Sequence, residues 1–192
     1  MNDRDFQDLK TKAAETLLQI GKCYETGEGV GKDEAEAVKW YRMASGQGFA
    51  DAQFELAKCY TFGIGVRKNC AIASKWLRKA AEQGHIRAML ILGMRYQFGD
   101  GVEQKPAEAV KWFRKAADLG DARAMFKLRD CYENGDGVKK DFDEAFLWFC
   151  RAAIASPEDE QLYQSVQNRI FSPELKDVLV RKGCRPRQTG DG

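Results

Sequence analysis

The sequence predicts an all-α fold: an α/α superhelix (solenoid) of four 36-residue helix-hairpin repeats with a degenerate C-terminal helical cap. Three observations predict it. The glycine-rich stretch Gly27-Glu28-Gly29-Val30 recurs as Gly63-Ile64-Gly65-Val66, Gly99-Asp100-Gly101-Val102 and Gly135-Asp136-Gly137-Val138, each copy 36 residues after the last. The same period carries Tyr24, Tyr60, Tyr96 and Tyr132, and it carries Trp40, Trp76, Trp112 and Trp148, which are all the tryptophans of the chain. On both sides of the glycines, apolar and small residues fall at helical spacing. Self-similarity at a fixed period of this size marks an array in which each unit buries its apolar face against its neighbours.

Each repeat divides into two helices. Before the glycines, Leu17, Ile20, Gly21 and Tyr24 stand at i, i+3, i+4 and i+7, one face of an α-helix, and Met89, Leu92, Gly93 and Tyr96 repeat the set. After the glycines, Ala37, Trp40, Tyr41 and Ala44 have the same spacing, and alanine holds both outer positions in every copy. Small residues flanking a large aromatic let helices approach, with the indole expected to fill the space between them. Asp33, Asn69 and Asp141 stand where the second helix needs an N-cap, and Glu36 and Glu144 suit capping boxes. Lys105 is a poor cap, but Pro106 follows it at the first helical position. Gly48, Gly84 and Gly120 end the second helices. The predicted helices are therefore 5–26, 33–47, 50–62, 69–83, 86–98, 105–119, 122–134 and 141–154.

The array is expected over residues 5–156, with repeats at about 13–48, 49–84, 85–120 and 121–156. Ser156-Pro157 and Ser172-Pro173 open further helical stretches, with Leu162, Tyr163, Val166 and Ile170 on one face, so 157–183 is read as the cap. Residues 184–192, CRPRQTGDG, are read as a disordered tail.

Composition narrows the function. The 192 residues are 44% hydrophobic and 31% charged, with 31 basic against 29 acidic side chains, which leaves no basic footprint for nucleic acid or anionic membrane. No run approaches the ~20 apolar residues of a spanning helix, and the polar N-terminus, MNDRDFQDLK, does not resemble an export signal. The expectation is a cytoplasmic protein, without membrane insertion, whose six cysteines are reduced.

The stretch GEGVGKD at 27–33 invites a phosphate-binding reading, which its spacing denies. The triphosphate loop needs glycine where Thr26 stands and Ser or Thr where Asp33 stands. The dinucleotide fingerprint needs glycine at Lys32. The glycines are instead expected to make the tight αα-turn, with Val30 anchoring the turn in the core. His85 falls in an inter-repeat turn with no nucleophile implied beside it, and no C-x-x-C pair exists to hold zinc. The chain is expected to be no enzyme and to use no cofactor or metal.

The periodic pattern A-x-x-x-L-G-x-x-Y-x-x-G-x-G-V…A-x-x-W-(Y/F)-x-x-A-A-x-x-G, most complete at Ala88, Leu92, Gly93, Tyr96, Gly99, Gly101, Val102, Ala109, Trp112, Phe113, Ala116, Ala117 and Gly120, resembles the Sel-one-like repeats (SLR), relatives of the tetratricopeptide repeats. The resemblance implies a right-handed superhelix of helix hairpins serving as adaptor or scaffold, with first helices lining a concave groove. One branch of the family pairs cysteines within each repeat and binds β-lactams. Here Cys23, Cys59 and Cys131 share one position of successive repeats, with Arg95 in the third, and do not fit that branch. Arg129 stands where Gly21, Ala57 and Gly93 stand elsewhere and should loosen packing or seek an acidic partner.

The groove-facing positions supply the candidate site. They read Glu15, Gln19, Lys22 and Thr26, then Asp51, Glu55, Lys58 and Phe62. Next come Arg87, Ile91, Met94 and Phe98, and finally Arg123, Lys127, Asp130 and Asn134. The apolar set Ile91, Met94 and Phe98, with Phe62 one repeat away and Arg87, Arg95, Arg123 and Lys127 around it, is expected to dock a peptide or helix segment of a protein partner. The alternatives are a weak binder or hydrolase of a peptidoglycan-like or β-lactam-like ligand, and a self-associating module, that is, a homodimer.

Overall fold

The computed structural model describes residues 3–156, and from residue 8 onward their side chains as well. The expected cap at 157–183 and tail at 184–192 lie outside the described residues. Among the described residues there are eight α-helices and no strand: α1 Asp3–Thr26, α2 Glu34–Gly46, α3 Ala50–Phe62, α4 Cys70–Glu82, α5 Ile86–Phe98, α6 Pro106–Asp118, α7 Ala122–Asn134 and α8 Phe142–Ala155. They agree with the predicted spans to within one residue, except that α1 begins two residues earlier. The chain divides into two compact units, residues 1–109 and 110–192, with the boundary inside α6.

The helix ends form where the side chains dictate. The carboxylate of Asp33 accepts from Glu36 N at 2.9 Å, Asn69 Oδ1 accepts from Ile72 N at 3.0 Å, and Asp141 accepts from Asp143 N and Glu144 N at 3.0 Å. Each cap contributes about 1 kcal/mol. The reciprocal half of the first capping box does not form: Asp33 N donates to the Tyr24 carbonyl, and the Glu36 carboxylate accepts from Lys39 Nζ. At the far end of the first helices, Gly27, Gly63, Gly99 and Gly135 take φ of 76° to 84°. Their N–H groups donate to residues 23, 59, 95 and 131, closing the last turn. The turn then returns so that Asp33, Asn69, Lys105 and Asp141 donate N–H to the carbonyls of Tyr24, Tyr60, Tyr96 and Tyr132 at 2.8–2.9 Å.

The second glycine of each turn has a separate reason. At Gly65 and Gly101 a Cβ would run into the carbonyls of Glu34 and Cys70, the first residues of α2 and α4 in the preceding repeat, and both glycines have positive φ. At Gly29 the φ is also positive but nothing lies within 4 Å, because no repeat precedes it among the described residues. This corrects the expectation for Val30. It is 40% exposed and does not anchor the core, whereas Val66, one repeat on, packs against the core of the first unit.

That core gathers Leu18, Val38, Tyr41, Leu56 and Cys59 with the small residues Ala37, Ala44 and Ala52. Tyr41 is fully buried against Gly21, where a Cβ would stand 2.5 Å from the ring. Its hydroxyl donates to Glu25, and burial first, then that carboxylate, pushes its pKa well above the usual phenol range. Leu56, Leu92 and Leu128 hold one position of successive repeats and are fully buried, each stabilising by about 1.5–3 kcal/mol.

The tryptophans are not the deepest aromatics. In the first three repeats the next residue lies deeper, Tyr41 and Leu77 beside half-buried Trp40 and Trp76 and Phe113 beside buried Trp112, whereas in the fourth Trp148 is buried and Phe149 only half-buried. Each indole from the second repeat on lies beneath the cation three residues later: Lys79 on Trp76, Lys115 on Trp112 and Arg151 on Trp148, at 4.4–4.5 Å from the ring.

Successive repeats are also joined by a staple. Arg42 Nη2 donates to Tyr60 Oη at 2.8 Å, and Arg78–Tyr96 in the first unit and Arg114–Tyr132 in the second repeat the bond. In the second unit Arg129 finds its acidic partner next door. It donates to Asp130 Oδ1 from both Nε and Nη2, and its guanidinium covers Phe126 and Phe149.

Candidate functional site: an apolar cavity between α3 and α5

In the first unit, α3, α4 and α5 enclose an open cavity of about 300 Å³. Phe54, Ala57 and Phe62 come from α3, Leu77 from α4, and Ile91, Met94 and Phe98 from α5. Phe62 and Phe98 stand at the last helical position of α3 and α5, just before the left-handed glycines Gly63 and Gly99, and are 70% and 69% exposed. Ile91 and Met94 are half-buried deeper in. Two large aromatics left in water beside a mainly apolar hollow depart from the usual scatter of single exposed hydrophobics.

Five of the eight sequence-predicted residues (Phe62, Ile91, Met94, Arg95 and Phe98) line this one cavity. Arg87 stands beside it, exposed, with its guanidinium 5.2 Å from the centre of the Phe54 ring. Arg123 and Lys127 lie on α7 in the second unit, and the cavity is built without them. Arg123 instead pairs with Asp121 at 3.0 Å.

Arg95 is a correction. It was expected as a rim cation free to meet a partner, but it is 4% exposed. Its Nη1 donates to the carbonyls of Cys70 and Asp100 and to Ser74 Oγ at 3.1–3.3 Å, and its Nη2 donates to Thr61 Oγ1 at 2.7 Å. The Asp100 carboxylate lies 3.3 Å from Nη1. Arg95 therefore ties α3, α4 and the turn after α5 together beneath the cavity. The second cation of the lining, Lys58, is paired with Glu55. With both positive charges of the lining neutralised inside the unit, the cavity offers a ligand apolar surface.

Phe54, Ala57, Thr61 and Leu77 were missed in the sequence. Phe54, Ala57 and Leu77 stand at positions that repeat as ordinary packing positions, Leu77 on a second helix, which the search along first helices passed over, and Thr61 shares its position with the polar Glu25, Gln97 and Glu133.

The remaining chemical candidates resolve into structure. His85 caps α5, its Nδ1 accepting from Ala88 N at 3.1 Å, while its ring stacks on Phe54 at 4.4 Å. Burial lowers its pKa, partly opposed by Asp51, whose carboxylate lies 3.5 Å from Nε2. Cys23, Cys59, Cys70 and Cys131 are free thiols. Burial pushes Cys59 up to about 12 and Cys131 up to about 11, far from nucleophilic at neutral pH. Among the described residues no cluster of three or more His, Cys, Asp or Glu side chains could hold a metal ion, and no helix is long and apolar enough to cross a membrane.

The Sel1 repeat model matches residues 14–49, 50–85, 86–121 and 122–156. The chain belongs to the Sel1 repeat family. As a Sel1 repeat protein it has an all-α solenoid fold, and such repeats generally mediate protein interactions and are typically non-catalytic scaffolds. It is similar to a Sel1 repeat protein from Oxalobacter formigenes, with 35% identity and a TM-score of 0.73 over 93% of this chain and 66% of that one. It also resembles c5321, a protective antigen of uropathogenic Escherichia coli with an SLR fold, at 30% identity and a TM-score of 0.74 over 89% of this chain and 38% of that one. Less than two thirds of either protein's length is thus spanned by this chain. Helicobacter pylori cysteine rich protein B, at 22% identity and a TM-score of 0.53 over 69% of this chain and 94% of that one, shares the fold alone. No curated protein matches the chain.

Proposed function

We propose that this Sel1 repeat protein is a non-enzymatic scaffold that binds a segment of a protein partner at the cavity between α3 and α5. The observation that carries the reading is the pair Phe62 and Phe98, more than two-thirds exposed at the mouth of a hollow floored by Ile91, Met94 and Leu77. Apolar side chains of an amphipathic helix suit such a site. Flexible Met94 can adapt to their shape. Membership of a family of interaction modules supports the same reading.

The test is affinity capture with the full chain against its Phe62→Ser/Phe98→Ser variant. Proteins held by the first and lost by the second are tiled into peptides, whose binding is measured by calorimetry. The expected result is a peptide that binds the native chain with a negative heat-capacity change, the mark of apolar burial, and binds the variant at least roughly a hundredfold more weakly. Equal binding by both proteins would place the docking site elsewhere.

A further inference from the structure

The α7–α8 hairpin ends in an aromatic edge that the earlier hairpins lack. Phe142, Phe146 and Phe149 stand where the first repeat has Glu34, Val38 and Tyr41 and the second has Cys70, Ser74 and Leu77. In those two repeats the next repeat closes these positions. Gly65 and Gly101 abut the carbonyls of Glu34 and Cys70, Ser74 Oγ donates to the Asp100 carbonyl at 3.4 Å, and Val38, Tyr41, Ser74 and Leu77 are buried. In the fourth repeat Phe142 is 63% exposed and Phe146 and Phe149 are only half-buried. With Ala145, Arg129 and Glu133 they line a cavity of about 260 Å³.

The C-terminal stretch of the chain suits this edge. The chain leaves α8 at Ser156, the position at which Gly48 and Gly84 turn earlier repeats back toward the same face, and 36 residues remain beyond it. Gln164 stands where Leu56, Leu92 and Leu128 are fully buried, so the apolar pattern of the repeat does not continue in register. They carry Leu162, Val166 and Ile170 at intervals of four. They open with Glu158-Asp159-Glu160, opposite in sign to Lys140, whose ammonium lies 4.7 Å from the centre of the Phe142 ring.

We propose that residues 157–171 cover the aromatic edge of their own chain, setting Leu162, Val166 and Ile170 against Phe142, Phe146 and Phe149. The edge is then an internal interface, not a docking site for another protein or a second copy.

Hydrogen exchange of the full chain tests this. Leu162→Asp/Val166→Asp is expected to speed exchange of the 142–150 amides roughly ten- to a hundredfold, the loss of one or two buried aliphatic contacts, at every protein concentration. Leu162→Met/Val166→Ile is expected to preserve native exchange. Unchanged exchange of 142–150 in the Asp variant would overturn the proposal, as would protection that grows with protein concentration, the signature of a second copy. If the Asp variant also loses protection over α1–α5, Phe142→Ser replaces it. That change is expected to speed exchange at 162–170 and leave α1–α5 unaltered, and unchanged exchange at 162–170 would overturn the proposal.

Discussion

Cys59 and Arg95 occupy the same position of successive repeats, and they show what the period controls and what it does not. Both sit one turn from the end of a first helix, and both offer their backbone carbonyl to the left-handed glycine four residues later. Around Cys59 the neighbours are apolar, and the thiol behaves as a small buried hydrophobe. One repeat later the same position holds a guanidinium. The neighbouring Ser74 stands where the first and third repeats have Val38 and Val110, and it supplies one of the five oxygens around Arg95. The period determines where the backbone goes. A single polar substitution, with a second to receive it, turns one junction from hydrophobic packing into a hydrogen-bonded knot that borders the cavity.

Breaking the knot should have one of the two largest effects on stability. Arg95→Ala removes several charge-assisted bonds and leaves a void beneath the cavity. Urea unfolding should show a loss of about 2–4 kcal/mol, against about 1 kcal/mol for Cys59→Ala, a small truncation. Equal losses would mean that the two positions are equivalent after all.

The glycines sharpen the comparison between a junction that is filled and one that is not. Gly101→Ala drives a methyl group into the Cys70 carbonyl at positive φ, and about 2–4 kcal/mol should be lost through backbone strain and overpacking together. Gly29→Ala meets the strain alone, with open space around it, and should lose about 1 kcal/mol. Thermal melts of the pair separate the two contributions.

Smaller effects belong to the staple and the cap. Tyr60→Phe deletes the acceptor of Arg42 and should lower stability by about 0.5–1 kcal/mol in the same melts. His85 is held neutral, its folded pKa lowered by burial, so the unfolded chain takes up the proton first. The stability it contributes is therefore fully present above its unfolded value of 6.5 and declines as pH falls below it. His85→Asn, which can cap α5 without titrating, should flatten the stability profile between pH 7 and pH 5 relative to the native chain.

Most of the backbone was legible in the sequence because four copies of one pattern constrain each other. A cap such as Asn69 or a turn such as Gly99-Asp100-Gly101 is convincing only beside its counterparts. The apolar set Phe62, Ile91, Met94 and Phe98 was legible for the opposite reason, as a departure from otherwise polar positions. Arg95 was misread because a single position carries no information about burial, and its receivers Thr61, Ser74 and Asp100 lie 5 to 34 residues away in the chain. The staple left a signal that could have been found. Arg42, Arg78 and Arg114 recur at 36 residues, each 18 before a repeated tyrosine, and the series ends at Cys150. Val30 failed for want of a neighbour: its counterpart Val66 is half-buried against a core that includes Ala37, Val38 and Tyr41 of the preceding repeat.

On the proposed function, Phe62 and Phe98 are left exposed for binding and contribute little to the fold. The most direct measurement is the melting temperature of Phe62→Ser/Phe98→Ser alongside its affinity for the captured peptide. The expected result is a shift within about 2–4 °C, as for substitutions at exposed sites, together with an affinity loss of at least roughly a hundredfold. A drop of more than about 10 °C, or a peptide bound as tightly as before, would contradict it.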